Sequence, residues 1–152
     1  MQEMGPKKKL KILFLCTGNS CRSQMAEAWT KKFKGNIIDV YSAGTIPKGV
    51  DPRAVKAMAE AGIDISGYRS KSTTELMDIE FDYVITLCDD AQQSCPFFPA
   101  KTRVLHHGFE DPPALSFNAK SEEEAMGHYR RIRDEIRDFV VTLPESLEKA
   151  DS

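Results

Sequence analysis

The chain of 152 residues lacks any apolar run of the roughly 18 residues that a membrane-spanning helix needs. Its first residues also contain no apolar segment typical of a secretion signal. We therefore expect a cytoplasmic protein without a membrane partner. Internal repeats, low-complexity stretches and an interdomain linker are also missing. These absences predict one domain over residues 1–152, with flexible tails at about 1–8 and 146–152.

A strong excess of charge of one sign is missing as well. Lys and Arg number 21 and Asp and Glu number 23, so the net charge is −2 and a nucleic-acid partner is not expected. No Gly-x4-Gly-Lys-Ser/Thr segment is present, which excludes the phosphate loop of nucleotide-binding proteins. Cysteines in the cytoplasm are kept reduced, so we interpret the four cysteines as thiols rather than as a framework of structural disulfides.

What the chain does contain is an alternation of strand-like and helix-like segments. Apolar runs indicate buried strands, and between them apolar residues recur with the spacing of an amphipathic helix. The alternation predicts an α/β protein, with a parallel sheet and helices on both faces. The predicted strands cover residues 11–16, 37–42, 82–87 and 102–106. The predicted helices cover 22–34, 51–62, a short helix after Ser72, and 122–143. Asp51 is the predicted N-cap of the second helix, followed by Pro52 at its first position, and Ser72 and Glu75 are predicted to form a capping box.

Three of these predicted strands end in residues capable of chemistry. Cys16, Ser42 and Cys88 stand at or just beyond the carboxyl ends of the first three strands. Open α/β sheets bind their ligands beyond the carboxyl ends of the strands. We therefore expect these side chains to lie along one edge of the sheet.

A Cys-x5-Arg segment, Cys16–Arg22, follows the first predicted strand and opens the next helix. Main-chain N–H groups at a helix N-terminus favour an anion, and a guanidinium group can hold two oxygens of a tetrahedral oxyanion. Gly18 permits close approach of the backbone, and Asn19 tolerates a left-handed conformation. We expect these positive surroundings to lower the pKa of the Cys16 thiol and Ser23 to hydrogen-bond the thiolate. The predicted oxyanion-binding loop consists of Thr17, Gly18, Asn19, Ser20, Cys21, Arg22 and Ser23, with Cys21 in a structural role.

Two further cysteines lie where they could react with Cys16. If the first and third strands are neighbours, their ends are about 4.8 Å apart, which suits a Cys16–Cys88 disulfide. The polar segment 89–94 could loop out and bring Cys95 to Cys88. Two alternatives stay open at this point. The thiols could be inert core residues, or all four cysteines could bind zinc, although the Cys-x4-Cys and Cys-x6-Cys spacings are loose for a zinc site.

A departing oxygen needs a proton donor. Asp111, which precedes two prolines after the fourth strand, is the better candidate, Glu110 is its rival, and Asp-Pro also simply favours a turn. His106 and His107 have no metal-ligand companions and are interpreted as strand-end residues, and His128 is interpreted as a surface residue.

These features resemble the thioredoxin-coupled arsenate reductases, which are built on the low-molecular-weight tyrosine phosphatase fold. The resemblance covers nearly the whole chain and is most specific in the three thiols taken together. It implies a three-layer, doubly wound sheet of four parallel strands in the order 2-1-3-4. The segments that carry it are Cys16–Glu27, Tyr41–Gly44, Ile63–Ser66, Val84–Cys88, Cys95–Pro96, Gly108–Pro112 and Arg131–Ile136.

The resemblance also implies a mechanism. Cys16 attacks arsenate held by the loop and Arg22, while Asp111 protonates the leaving oxygen. Cys88 then attacks Cys16, two electrons pass to arsenic, and arsenite leaves. Cys95 attacks Cys88 and forms a disulfide that thioredoxin reduces. The resemblance therefore implies a monomeric enzyme of arsenic detoxification, with no metal and no permanently bound cofactor, that takes electrons from thioredoxin and accepts phosphate or sulfate as oxyanion mimics.

The sequence departs from this family at two places. Some members bind potassium beside the loop, through residues matching Asn19, Glu27 and Ser42 together with an Asp. Lys71 stands at the Asp position here, and we interpret its ammonium group as a replacement for the cation; a Lys71 that points to solvent is the alternative. The second departure is the segment 113–120, which we expect to be a longer, looser connection that shapes the rim of the site.

Other functions fit the same loop. A low-molecular-weight phosphatase that cleaves phosphoesters through a phosphocysteine is the main alternative. Such enzymes typically carry an aromatic residue where this chain has Pro113, and they do not need Cys88 or Cys95. A non-catalytic oxyanion sensor is a third possibility, and the presence of Cys16, Arg22 and Asp111 argues against it.

Overall fold

Four parallel strands form one sheet at the centre of the molecule. They are β1 (Leu10–Cys16), β2 (Ile38–Gly44), β3 (Tyr83–Thr86) and β4 (Arg103–His106), and their spatial order is β2-β1-β3-β4. The computed structural model describes residues 8–89, 91, 95–96 and 98–151. The implied order 2-1-3-4 is confirmed. The expected tail at residues 1–7 and the last residue, 152, lie outside the described part.

The described residues also form five α-helices and one 3₁₀-helix, and the last three α-helices follow β4. The local signals predicted from the sequence act as expected: the Asp51 side chain caps the second helix by accepting a hydrogen bond from the N–H of Arg53, and Ser72 and Glu75 form a capping box. Among the described residues, no helix is both long enough and apolar enough to span a bilayer. The helices are α1 (Arg22–Lys34), α2 (Pro52–Glu60), the 3₁₀-helix Thr73–Leu76, α3 (Pro112–Ser116), α4 (Glu122–Val140) and α5 (Glu145–Asp151).

The core lies on both faces of the sheet because successive strand residues point to opposite sides. On β1, Ile12 and Phe14 pack into the larger cluster, which α1, α2, α4 and α5 cover. Leu13 and Leu15 face the other way, into a smaller cluster with Phe81. Shorter segments, including the end of the 3₁₀-helix at Leu76, cover that second face.

Two segments that were expected to be loose contain helices. The predicted tail from residue 146 was wrong, because α5 continues to Asp151 and its Leu147 side chain is only 3% exposed. The expected loose connection 113–120 begins with α3, in which Pro112 and Ser116 are buried. Ser116 donates a hydrogen bond of 3.3 Å to the carbonyl of Ala125 in α4, which attaches the short helix to the long one.

The strand register brings the functional residues to one edge. Cys16 is paired with Gly44 at the end of β2, and Leu15 is paired with Thr86 at the end of β3. Cys88 follows β3 by two residues, so it lies beside Cys16 at the carboxyl edge of the sheet. The expected gathering of Cys16, Ser42 and Cys88 on one edge is therefore confirmed.

Candidate active site

The main-chain carbonyls of the predicted oxyanion loop point away from its centre. Three of them, and the carbonyl of Cys16 just before the loop, accept hydrogen bonds from N–H groups of the segment 45–51, which runs along the loop after β2. Because the C=O and N–H of a trans peptide point in opposite directions, the loop N–H groups are left facing inward, where they suit an anion. The pairs, written donor to acceptor, are Thr45 to Cys16 at 3.2 Å, Ile46 to Thr17 at 2.8 Å, Lys48 to Gly18 at 3.0 Å and Asp51 to Ser20 at 2.9 Å.

Asn19 holds the middle of the loop. Its φ of 48° is in the left-handed region, as its side-chain type predicts, and the residue is fully buried. The Asn19 amide donates to the Ser23 hydroxyl at 2.8 Å and to the Ser42 hydroxyl at 3.0 Å, and its side-chain oxygen accepts from the main-chain N–H of Lys71 at 2.8 Å. Ser23 therefore supports the loop through Asn19, a contact that differs from the expected bond to the Cys16 thiolate.

Arg22 is positioned by the chain segment that follows β4. One of its terminal nitrogens donates to the carbonyl of Phe109 at 2.8 Å, and the other lies 3.4 Å from a carboxylate oxygen of Asp111. Within the described part of the chain, the buried Nε–H of Arg22 has no hydrogen-bond partner. A buried, unpaired donor on a cation beside inward-facing N–H groups is suited to an anionic ligand.

Cys16 and Cys88 are neighbours in the smaller core cluster, and both line the pocket. The Cys88 sulfur also lies 3.3 Å from the Thr17 hydroxyl and accepts from the N–H of Ala91 at 3.4 Å. The hydrogen bond from Cys16, with those from Thr17 and Ala91, lowers the pKa of Cys88 to about 5, although burial opposes this shift. The thiolate of the pair therefore resides on Cys88.

The expected lowering of the Cys16 pKa was wrong for this arrangement. The hydrogen bond with Cys88 raises the pKa of Cys16, burial raises it further, and the positive charge of Arg22 opposes both effects. The physical reason is that two thiols in contact cannot both be anionic at neutral pH, so one retains the shared proton.

The remaining two cysteines differ in position. Cys21 is 3% exposed within the loop, and burial raises the pKa of its thiol, which agrees with a structural role. Cys95 is partly buried and packs against the smaller core cluster, which also contains Cys16 and Cys88. The predicted relay residues therefore lie in or against one cluster. Most of the segment that joins Cys88 to Cys95 lies outside the described residues.

The proton-donor candidates separate clearly. Asp111 stands at the N-cap position of α3 without a side-chain capping hydrogen bond; its side chain is 42% exposed and lines the same pocket as Cys16. Glu110 instead pairs with Arg131 at 3.0 Å, on the flank of α4. The pocket has a volume of about 410 Å³, and its wall is formed by Cys16, Thr17, Gly18, Ser20, Cys21, Arg22, Lys48, Cys88, Asp89, Asp111 and Pro113.

The sequence and structure of this site have known relatives. Residues 11–152 match the model of the family described as low molecular weight phosphotyrosine protein phosphatase. The chain belongs to this family. An arsenate reductase of Halalkalibacterium halodurans is 48% identical over 89% of this chain and 95% of its own length.

Solved structures point to the same branch of the phosphatase family. An arsenate reductase in its oxidized state matches with a TM-score of 0.72 and 31% identity, over 88% of this chain and 95% of that chain. A Corynebacterium glutamicum thioredoxin-dependent arsenate reductase matches with a TM-score of 0.68 and 27% identity, over 93% of this chain and 63% of that chain.

The Lys71 side chain lies near the oxyanion loop and does not point to solvent. Its side chain is 19% exposed, its Nζ lies 3.9 Å from a Glu27 carboxylate oxygen, and it donates to the carbonyl of Arg69 at 2.9 Å. The same Glu27 oxygen accepts from the Ser42 hydroxyl at 2.6 Å, and Ser42 in turn accepts from Asn19. Burial lowers the pKa of Lys71. Among the described residues, no group of three or more His, Cys, Asp or Glu side chains is arranged to hold a metal ion.

Sequence reasoning missed several residues that build this phosphatase-family site. A Cβ atom at Gly44 would lie 2.6 Å from the carbonyl oxygen of Thr17, so only glycine fits where β2 meets the loop. The carbonyl of Phe109 holds Arg22, a role that no side-chain pattern can reveal. The role of Gly44 could have been predicted from the sequence, because a glycine at the end of a strand often marks a close approach of the backbone. The role of the Phe109 carbonyl could not.

Proposed function

We propose that this protein reduces arsenate to arsenite through a relay of Cys16, Cys88 and Cys95 that thioredoxin regenerates. The observation that carries the proposal is the position of Cys88 beside Cys16, in the wall of one anion-binding pocket. A phosphatase that acts through a phosphocysteine needs only one cysteine nucleophile, so it would not require Cys88 beside Cys16. The high identity to curated arsenate reductases supports the same reading.

The first step forms a bond between sulfur and arsenic. Cys16 attacks the arsenic atom of arsenate held by the loop N–H groups and Arg22, and its proton passes along the hydrogen bond to Cys88. Asp111 protonates the leaving oxygen, which departs as water. Cys88 must then release this proton to solvent before it can act as the second nucleophile. Cys16 has no S–H left to donate at this stage, and the hydrogen bonds from Thr17 and Ala91 together with the charge of Arg22 favour the release.

The second step is the reduction. The Cys88 thiolate attacks the sulfur of Cys16, and the electron pair of the sulfur–arsenic bond goes to arsenic. Arsenite is released, and the enzyme is left with a Cys16–Cys88 disulfide. Cys95 then attacks Cys88 and releases Cys16. The dithiol of thioredoxin reduces the Cys88–Cys95 disulfide and is itself oxidised, so the cycle needs no resident cofactor. We place this monomeric enzyme in the cytoplasm, where thioredoxin is kept reduced.

The test measures arsenate-dependent NADPH oxidation with thioredoxin and its reductase, beside cleavage of an aryl phosphate. Cys88→Ser is expected to abolish NADPH oxidation while phosphate-ester cleavage survives. Cys95→Ser is expected to give one arsenite per enzyme and then stop, with Cys16–Cys88 oxidised, as mass mapping of the disulfide would reveal. Full steady-state reduction by Cys95→Ser would exclude the relay.

The phosphatase alternative is favoured by one observation, the complete loop with Arg22 and Asp111, which serves phosphoester cleavage equally well. The same assay separates the two functions. Brisk ester cleavage without arsenate turnover, unaffected by Cys88→Ser, would identify a phosphatase and leave the second and third thiols with a packing role only.

A further inference from the structure

One cation in the wall of the pocket has no part in the relay. Lys48 lies on the segment 45–51, and its main-chain N–H is one of the four that bond carbonyls of Cys16 and the loop. Its side chain runs across Gly18: a Cβ atom built on that glycine would lie 3.4 Å from Cδ of Lys48 and 3.5 Å from its Cγ. The Lys48 stem therefore lies within van der Waals reach of position 18 at the pocket wall.

The charges of the pocket show why a second cation matters there. Arg22 lies 3.4 Å from the Asp111 carboxylate, and the pocket wall also contains the single thiolate of the Cys16 and Cys88 pair and Asp89, an exposed carboxylate 3.4 Å from His106. With Arg22 alone, the charged side chains around the pocket would be negative on balance and would repel a doubly charged oxyanion. The α1 N-terminus adds only about half a positive charge. Lys48 moves the balance toward attraction, because it is an exposed ammonium group on the same wall.

We propose that Lys48 is a substrate-binding residue that selects small, free inorganic oxyanions over phosphoesters. The inference rests on the proposed function and deepens it. A tetrahedral anion whose inner oxygens occupy the loop points its fourth oxygen toward the mouth of the pocket. In arsenate or phosphate that oxygen is part of a charged inorganic ion, which an ammonium group stabilises. In a phosphoester it carries an organic substituent, which gains less from a cation and must pass the Lys48 side chain.

The test compares three variants. Lys48→Met removes the charge and keeps a long stem, Lys48→Arg keeps the charge, and Lys101→Met is a matched control, since Lys101 is an exposed residue that precedes β4, at the opposite edge of the sheet. The readouts are KM and kcat for arsenate at saturating thioredoxin, KM for thioredoxin at saturating arsenate, KM for an aryl phosphate, and the Kd for inorganic phosphate by calorimetry.

We expect Lys48→Met to raise the arsenate KM and the phosphate Kd by about five- to tenfold, roughly 1 to 1.4 kcal/mol, with kcat changed less than about twofold. The aryl phosphate KM should rise by less than about twofold, so selectivity shifts toward the ester. Lys48→Arg and Lys101→Met should both stay close to wild type. The affinity for phosphate should also depend less on salt in Lys48→Met than in the wild-type protein.

Three results would overturn the inference. One is an unchanged phosphate Kd in Lys48→Met. Another is an equal loss in Lys101→Met, which would make the effect one of net charge. The last is a rise in the KM for thioredoxin with no change for arsenate, which would make Lys48 a contact for the electron donor. If the wild-type protein fails to reduce arsenate, the proposed function falls, but the phosphate Kd still decides the role of Lys48.

Discussion

At the scale of single residues, the site depends on where one proton lies. The two thiols in contact share a negative charge, and Cys88 rather than Cys16 carries it. A nucleophile that keeps its proton until substrate binds is protected from oxidants, because the thiolate is the reactive form of cysteine. The cost of this arrangement is that a proton must move before the first bond to arsenic can form.

The first prediction concerns the number of thiolates. Burial raises the pKa of Cys21 and Cys95, so near neutral pH the reduced protein should contain about one thiolate, on the pair of Cys16 and Cys88. Titration of the ultraviolet thiolate absorbance should show this anion disappearing as the pH falls through about 5, and Cys88→Ser should remove that step. Cys95→Ser serves as the control and should keep it. Absence of any thiolate at pH 7 would contradict the assignment.

The sign of the effect on stability follows from the same shift. The pKa of Cys88 falls from its ordinary value of 9.0 to about 5 on folding, so the native state binds fewer protons than the unfolded chain between these limits. The stability that this group contributes is present in full above pH 9 and is lost as the pH falls toward 5. The raised pKa of Cys16 acts in the opposite direction at high pH, since the unfolded thiol then ionises and the folded one does not.

At the scale of elements, the C-terminal helix belongs to the core. Leu147 of α5 and Leu143 before it are buried in the larger cluster, which also contains residues of α1 and α4. The sequence shows only a short polar stretch with one leucine there, so no periodicity could identify the helix. Its order comes from packing against the rest of the fold, which local sequence does not contain.

A substitution tests this role of α5. Leu147→Ala should lower the free energy of unfolding by about 2 to 4 kcal/mol, because it removes a buried side chain and leaves a cavity. Glu148→Ala, at the neighbouring exposed position, should change it by less than about 0.5 kcal/mol. Denaturant unfolding measures both. Equal effects from the two variants would mean that the helix does not stabilise the fold.

Other elements were readable because their signals are local. The Asp51-Pro52 start of α2 and the capping box at Ser72 depend on side chains within a few residues, and both form as predicted. The loop from Cys16 to Arg22 was readable for the same reason. The bond from Arg22 to the Phe109 carbonyl spans 87 residues of chain, and the contact between Cys16 and Cys88 has an electrostatic outcome that depends on burial. Neither is visible before the fold is known.

At the scale of the whole molecule, a buried polar chain ties the loop to α1, β2 and the segment before the 3₁₀-helix. It runs from Asn19 through Ser42 to Glu27, where Lys71 and Lys31 supply positive charge; Lys31 Nζ lies 2.8 Å from the second oxygen of Glu27. A fixed ammonium group so placed supports the hypothesis that Lys71 stands where some relatives hold potassium.

The corresponding prediction is an absence of potassium dependence. Thermal unfolding in potassium and sodium salts of equal ionic strength should give the same Tm within error, because Lys71 already supplies the charge. Lys71→Met should unfold at a lower temperature, by an amount equivalent to about 1 kcal/mol, since it removes a partner of Glu27. Lys34→Met, at the end of α1, is the control for loss of a positive charge. A clear rise of the wild-type Tm in potassium would refute the hypothesis.

The pairing of the oxyanion loop with the segment 45–51 also limits which residues that segment can contain. The main-chain N–H groups of Thr45, Ile46 and Lys48 all donate hydrogen bonds to carbonyls of Cys16 and the loop. Pro47 occupies the intervening position, and proline is the residue without a main-chain hydrogen to give. The ring therefore stiffens the segment at no loss of pairing. A proline one residue earlier or later would remove the N–H of Ile46 or Lys48 and leave the carbonyl of Thr17 or Gly18 without its hydrogen bond. Such a change would disturb the oxyanion loop through a segment that lies outside it.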